Sequence, residues 1–166
     1  MKSKIRTAVF VVILAPVAYV VWSFAQLFIG TGIANETNRQ LLVADRMIKA
    51  FSAYPESHGG HYPAFRNPDE ATRELRPFLE TEASQVNPEG HPYTTLNELE
   101  SQSRKAVWDQ ALSSGTANGP YSSSPAWVFY FQRNDQRSVL AWESGKVTIV
   151  GPEELARIVS RPPSGQ

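Results

Sequence analysis

The side chains best suited to chemistry in this sequence are those of the three histidines, His58, His61 and His91, and that of Glu143. His58 and His61 lie three residues apart across two glycines in "ESHGGHY", and imidazole nitrogens are common ligands of Zn²⁺ and Cu²⁺. The glycines could let the backbone bring both rings to one ion, but a four-ligand site also needs His91 or a carboxylate from elsewhere. Histidines in a flexible loop are more often solvent-exposed. We therefore keep His58 and His61 only as candidate ligands and predict no metal and no cofactor.

Hydrolytic chemistry has weaker support in the residue pattern. A serine hydrolase needs an oriented nucleophile and a base, and the sequence contains no Gly-x-Ser-x-Gly elbow. Glu143 comes closest to an acid–base carboxylate because it ends a predicted strand beside Trp142, but no spacing singles out a second carboxylate to pair with it. The chain has no cysteine, which excludes thiol catalysis and cysteine-based zinc sites. We predict no catalytic residue.

Aromatic side chains are concentrated in the last third of the chain. Trp127, Tyr130 and Trp142 could form a platform for a sugar or a peptide. Strand alternation, however, places Trp127 on one face with Phe129 and Phe131, and Tyr130 on the other face. Both faces are then apolar, which predicts a central strand covered on each side, by the N-terminal and C-terminal helices of the domain. We interpret these rings as core.

The longest apolar run, residues 8–29, contains no charged residue. About 20 apolar residues suffice to cross the hydrocarbon layer of a membrane, so we predict a retained transmembrane signal anchor. Three basic residues precede the run and none follows it closely, which predicts a cytoplasmic N-terminus at residues 1–7 and an exported remainder. The basic residues are Lys2, Lys4 and Arg6.

A cleaved signal peptide is the alternative interpretation of the same segment. Small residues in "SFA", Ser23 to Ala25, fit a signal-peptidase site. The apolar run continues past that site through Ile29, which favours the retained anchor. Both interpretations place the rest of the chain outside the cytoplasm.

Charge is distributed unevenly along the chain. All 16 acidic residues but only 13 of the 16 basic residues follow Gly30, so the exported part carries 13 − 16 = −3. Its basic residues are scattered rather than grouped in a stripe. The sequence therefore predicts no nucleic-acid partner.

The periodicity of the exported part predicts an α+β domain. After a hinge at residues 30–37, residues 38–54 have an amphipathic helical pattern, and further helices are predicted at residues 69–79 and 96–112. Glycine- and proline-rich loops separate them. Three stretches, "AWVFYF", "SVLAW" and "KVTIV", predict a three-stranded antiparallel meander. Pro152 begins a short terminal helix, and we expect its Leu155 and Ile158 to form a buried stripe against the last two strands. The domain spans residues 38–161 and a tail spans residues 162–166.

This order of elements, with two short motifs, resembles the type IV pilins and the pseudopilins of type II secretion. "NPEGHPY", residues 87–93, is similar to the Asp-Pro-Trp-Gly-x-Pro-Tyr turn of major pseudopilins through Pro88, Gly90, Pro92 and Tyr93. The stretch "SVLAWESGKVTIVGPEELARI", with Ser144-Gly145 in its turn, resembles the strand, turn, strand and Glu-rich helix that end many prepilin-like proteins. The anchor lacks the glutamate that prepilins carry near the start of the mature chain, and no calcium site of the family can be located.

The resemblance implies a single-pass protein of the bacterial inner membrane with its C-terminal domain in the periplasm or otherwise outside the cytoplasm. Its expected role is structural, assembly or binding, with the membrane and other envelope proteins as partners and without enzymatic activity. The alternative is an exported enzyme or ligand-binding domain that acts on cell-wall material or a metal ion.

Overall fold

The computed structural model describes residues 35–63, 65–109 and 126–160. The chain divides into two compact units, Met1–Arg39 and Gln40–Gln166. No helix among the described residues is long and apolar enough to cross a membrane. The segment predicted as the anchor, residues 8–29, and the tail at residues 162–166 lie outside the described residues.

Four helices are present in the described residues. Residues 35–57 are helical (α1), and they are followed by α2 (Pro68–Ala83), α3 (Leu96–Lys105) and α4 (Pro152–Val159). Side chains cap the starts of two of them: Asn67 accepts a hydrogen bond from the Glu70 backbone N–H, and Thr95 accepts one from that of Glu98. Proline at the start of α2 and α4 fits the first helical turn, where its missing N–H leaves no bond unmade.

Helix α2 continues past a proline in its interior. Pro77 lacks the N–H that an interior helical residue donates, and the sequence predicted a short helix at residues 69–79 that is strained by this proline. The helix instead reaches Ala83, and Leu75 and Leu79 on either side of Pro77 are fully buried. Burial of this apolar stripe offsets the lost backbone bond.

In the described part of the chain, one antiparallel sheet contains four strands in the order β1 (Val107–Trp108), β2 (Trp127–Gln132), β3 (Ser138–Trp142) and β4 (Val147–Val150). The α+β class is as predicted, but the fold prediction is wrong as a whole. It combined a transmembrane helix with a three-stranded meander, whereas the sheet has four strands and no described helix can span a membrane. The additional strand is β1, which pairs with β2 through Val107 opposite Tyr130 and Trp108 opposite Phe129.

Strand β1 lies where the sequence predicted the end of a helix. The helix predicted at residues 96–112 ends at Lys105, after which Ala106 adopts an extended conformation. Trp108 is 7% exposed, and its indole N–H donates to the Ser103 carbonyl at 3.0 Å. A two-residue strand is too short to show alternation, so the pattern of Val107 and Trp108 with Ala111 and Leu112 fitted a helix equally well.

Among the described residues, one hydrophobic core joins α1, α2, α3 and the sheet. Helix α1 supplies the largest share through a stripe at three- and four-residue steps, which buries the residues Val43, Ala44, Met47, Ile48, Ala50, Phe51 and Tyr54. Phe129, Phe131 and Val139 from the sheet belong to the same cluster. The helix and the meander therefore bury each other.

A β-bulge changes which residues share a face of the sheet. The register shifts between Trp127 and Phe129, and the Trp127 ring contacts Tyr130 with centroids 5.7 Å apart, while Phe129 stacks on Phe131. The predicted grouping of Trp127 with Phe129 is therefore wrong, because the extra bulge residue, Val128, breaks the alternation. We call the face that carries Phe129 the core face and the face that carries Tyr130 the outer face.

Candidate functional site

The glycine loop after α1 meets the turn between β3 and β4 at a tyrosine–glutamate pair. The Tyr62 hydroxyl donates a 2.8 Å hydrogen bond to Glu143 Oε1, across 81 residues of sequence. The Tyr62 ring stacks on Phe51 of α1, with centroids 4.8 Å apart and planes 14° apart. We call Tyr62, Glu143 and Phe51 the Tyr–Glu junction.

Backbone geometry on both sides fixes the junction. The Pro55 carbonyl accepts bonds from the N–H groups of His58 at 3.2 Å and Gly60 at 2.9 Å, which closes the end of α1. Gly59 and Gly60 have φ values of +65° and +81°, a region that favours glycine. On the other side, the Glu143 backbone N–H donates to the Ala126 carbonyl at 2.9 Å, and Gly145 completes the turn at φ +79°.

The junction leaves Tyr62 suited to donate a proton in a hydrogen bond but not to act as a base. Burial, followed by the hydrogen bond and the negative charge of Glu143, raises the pKa of Tyr62 well above its ordinary value. The phenol therefore stays protonated at neutral pH and holds the carboxylate. Glu143, which the sequence singled out as the nearest approach to a catalytic carboxylate, contacts a structural partner.

His58 contacts residues at the C-terminal end of α1, the helix that precedes it. Its Nδ1 lies 2.9 Å from both the Tyr54 carbonyl oxygen and the Ser57 hydroxyl, and its ring stacks on Tyr54 with centroids 3.7 Å apart. His61 is exposed and donates its backbone N–H to the His58 carbonyl. Within the ranges that the structure describes, no group of three or more histidine, aspartate or glutamate side chains could hold a metal ion.

His91, the third ligand weighed from the sequence, belongs to the turn of "NPEGHPY". The Asn87 side-chain oxygen accepts backbone bonds from Glu89 at 3.0 Å and from His91 at 2.9 Å, and Gly90 has a φ of +81°. The last residue of this turn, Tyr93, lies under the guanidinium of Arg46 at 4.6 Å, and that guanidinium also contacts Glu82 at 3.0 Å. Arg46 of α1 therefore contacts both the turn, through Tyr93, and the end of α2, through Glu82.

Sequence reasoning missed both of these long-range contacts. In the sequence, Tyr62 lies in a predicted loop, and Arg46 lies on the polar side of a predicted helix. Neither residue has a partner close in sequence that would identify its role. Their partners can be recognised only when the fold brings the segments together.

The outer face of the sheet carries a patch of half-buried aromatic residues. Trp127 and Trp142 are directly paired across β2 and β3, and Tyr130 contacts Trp127. The Trp142 indole N–H donates to the Thr148 hydroxyl at 3.1 Å, whereas the structure gives no protein hydrogen bond to the Trp127 indole or the Tyr130 hydroxyl within the described residues. We call Trp127, Tyr130 and Trp142 the outer aromatic patch.

Comparisons of the chain with protein families, curated proteins and solved structures find no match. The resemblance to pilins and pseudopilins accordingly stays a prediction from the residues quoted above. A functional proposal for this protein has to depend on its own side chains and their contacts.

Loss of the Tyr62 hydroxyl should weaken the fold modestly and make it less sensitive to alkali. A hydrogen bond to a charged group contributes about 1.5–3 kcal/mol, and this pair is only half-buried, so Tyr62→Phe should lower the free energy of unfolding at neutral pH by an amount at the low end of that range. Because the pKa of Tyr62 is raised on folding, its contribution is complete below the pKa of an unfolded tyrosine, near 10, and is lost as pH rises above it. The free energy of unfolding, measured by urea denaturation between pH 7 and 11, should therefore fall less steeply above pH 10 in Tyr62→Phe than in wild type.

Two comparisons make this result specific. Tyr130→Phe removes a hydroxyl that has no hydrogen bond in the described residues, so it should change the free energy of unfolding at neutral pH little. Burial and the neighbouring Glu74 also raise the pKa of Tyr54, so part of the alkaline loss should remain in Tyr62→Phe. Identical alkaline slopes in wild type and Tyr62→Phe would show that the junction is not formed in solution.

Proposed function

We propose that this protein is a membrane-anchored, pilin-like protein of the bacterial envelope whose exported domain has a structural, assembly or binding role and no catalytic activity. The observation that carries the proposal is the packing of α1 against the meander in one core. In an anchored, pilin-like arrangement the first helix of the domain has to pack against the sheet and keep it in place. The stripe from Val43 to Tyr54, buried with Phe129 and Phe131, meets that requirement.

The contacts of the most reactive side chains also support a non-catalytic role. Glu143 is held by Tyr62, and His58 is stacked on Tyr54 and bonded to its carbonyl. Glu143 stabilises the contact between the loop after α1 and the turn between β3 and β4, and His58 stabilises the C-terminal end of α1.

A binding role is supported best by the outer aromatic patch. Tryptophan and tyrosine are common in protein interfaces because they combine a large apolar area with a polar group at the edge. The Trp127 indole N–H and the Tyr130 hydroxyl make no protein hydrogen bond in the described part of the chain. These two groups could therefore orient a partner that covers the rings.

Location in the membrane is the first test of the proposal. A charge at the centre of a membrane-spanning segment costs about 2.5–3.5 kcal/mol on insertion, so Ala18→Arg should reduce the fraction of full-length chain that resists carbonate extraction from bacterial membranes. Thr31→Arg, outside the apolar run, is the matched control and should leave that fraction unchanged. Protease added to spheroplasts should digest the domain in wild type.

Two results would overturn this part of the proposal. Wild-type chain that is protected in intact spheroplasts, and digested only after lysis, would place the domain in the cytoplasm. N-terminal sequencing that begins at Gln26 would show instead a cleaved signal peptide and a released domain. The first result would overturn the export of the domain, and the second would overturn the retained anchor.

Cross-linking tests the binding role of the outer aromatic patch. A photoreactive residue in place of Trp127 should form an adduct larger than the monomer in membranes that contain the full-length chain. The control is the same residue in place of Lys105, which is exposed near the end of α3. Adducts that form at position 105 but not at position 127 would show that the patch is not the contact surface.

A further inference from the structure

We draw no further inference here: the strongest candidate, the outer aromatic patch of Trp127, Tyr130 and Trp142 on the sheet, belongs to the site already described, and nothing in the described residues shows what covers it.

Discussion

Phe51→Ala is expected to cost about 3–5 kcal/mol of unfolding free energy, the typical range for removing a buried phenylalanine side chain. Phe51 is 1% exposed and lies where the elements of the domain meet. Its ring contacts Tyr62 at 4.8 Å, Trp108 at 6.0 Å and Phe65 at 6.3 Å between centroids. The substitution therefore leaves a cavity bordered by several rigid aromatic side chains that cannot easily move to fill it.

Such a loss is large against a typical total stability of about 5–15 kcal/mol. Denaturation of the full-length chain by urea should show a much lower midpoint with a similar slope, because the slope reports the surface exposed on unfolding. Ser52→Ala, at the next position on the exposed side of α1, is the matched control and should change the midpoint little.

The same substitution also tests the Tyr–Glu junction. Because the Phe51 ring supports the Tyr62 ring, Phe51→Ala should already weaken the hydrogen bond to Glu143. Adding Tyr62→Phe should then cost less than it does in wild type, a coupling that a double-mutant cycle measures directly. A midpoint for Phe51→Ala equal to that of Ser52→Ala would mean that α1 does not pack in this core.

Elements with a clear period were the most predictable part of this fold. Residues 38–54 lie within α1, and three of the four strands were predicted close to their observed bounds. Each of these segments has enough residues for its apolar positions to repeat. Strand β1 has only two residues, and the bulge at Val128 reverses the side of Trp127, so neither feature leaves a period in the sequence.

The candidate site was much less predictable than the fold. Glu143 and His58 were recognised as reactive side chains, but their roles depend on what they contact. Tyr62 reaches Glu143 from 81 residues away, and His58 contacts the carbonyl of Tyr54. A single sequence contains the residue types but not the distances between segments, so it could not separate a catalytic carboxylate from a structural one.

Burial at the C-terminal end of the domain also differed from expectation. The sequence predicted that Leu155 and Ile158 of α4 form a buried stripe against the last two strands. Both residues are only half-buried, and α4 contains no fully buried residue. An apolar stripe at helical spacing indicates which face of a helix turns towards the protein, but it does not determine how deeply that face is covered.

Leu140→Ala should therefore be far more damaging than Leu155→Ala, although the chemical change is the same. Leu140 is fully buried in β3 between Tyr130 of β2 and Thr148 of β4, so its truncation should cost about 2–5 kcal/mol. Leu155 is half-buried, and its truncation should cost about 1 kcal/mol because less apolar surface is removed from contact. Urea denaturation of both variants beside wild type measures the two losses.

The comparison separates two arrangements of the C-terminal end. If α4 covered its strands as completely as the sequence predicted, Leu155→Ala would destabilise the protein as severely as Leu140→Ala, since both leucines would lie in closed packing. Equal losses above about 2 kcal/mol would therefore contradict the half-buried position of α4. A large loss for Leu140→Ala alone would locate the stability of this end mainly in the sheet, as the deeper burial of Leu140 predicts.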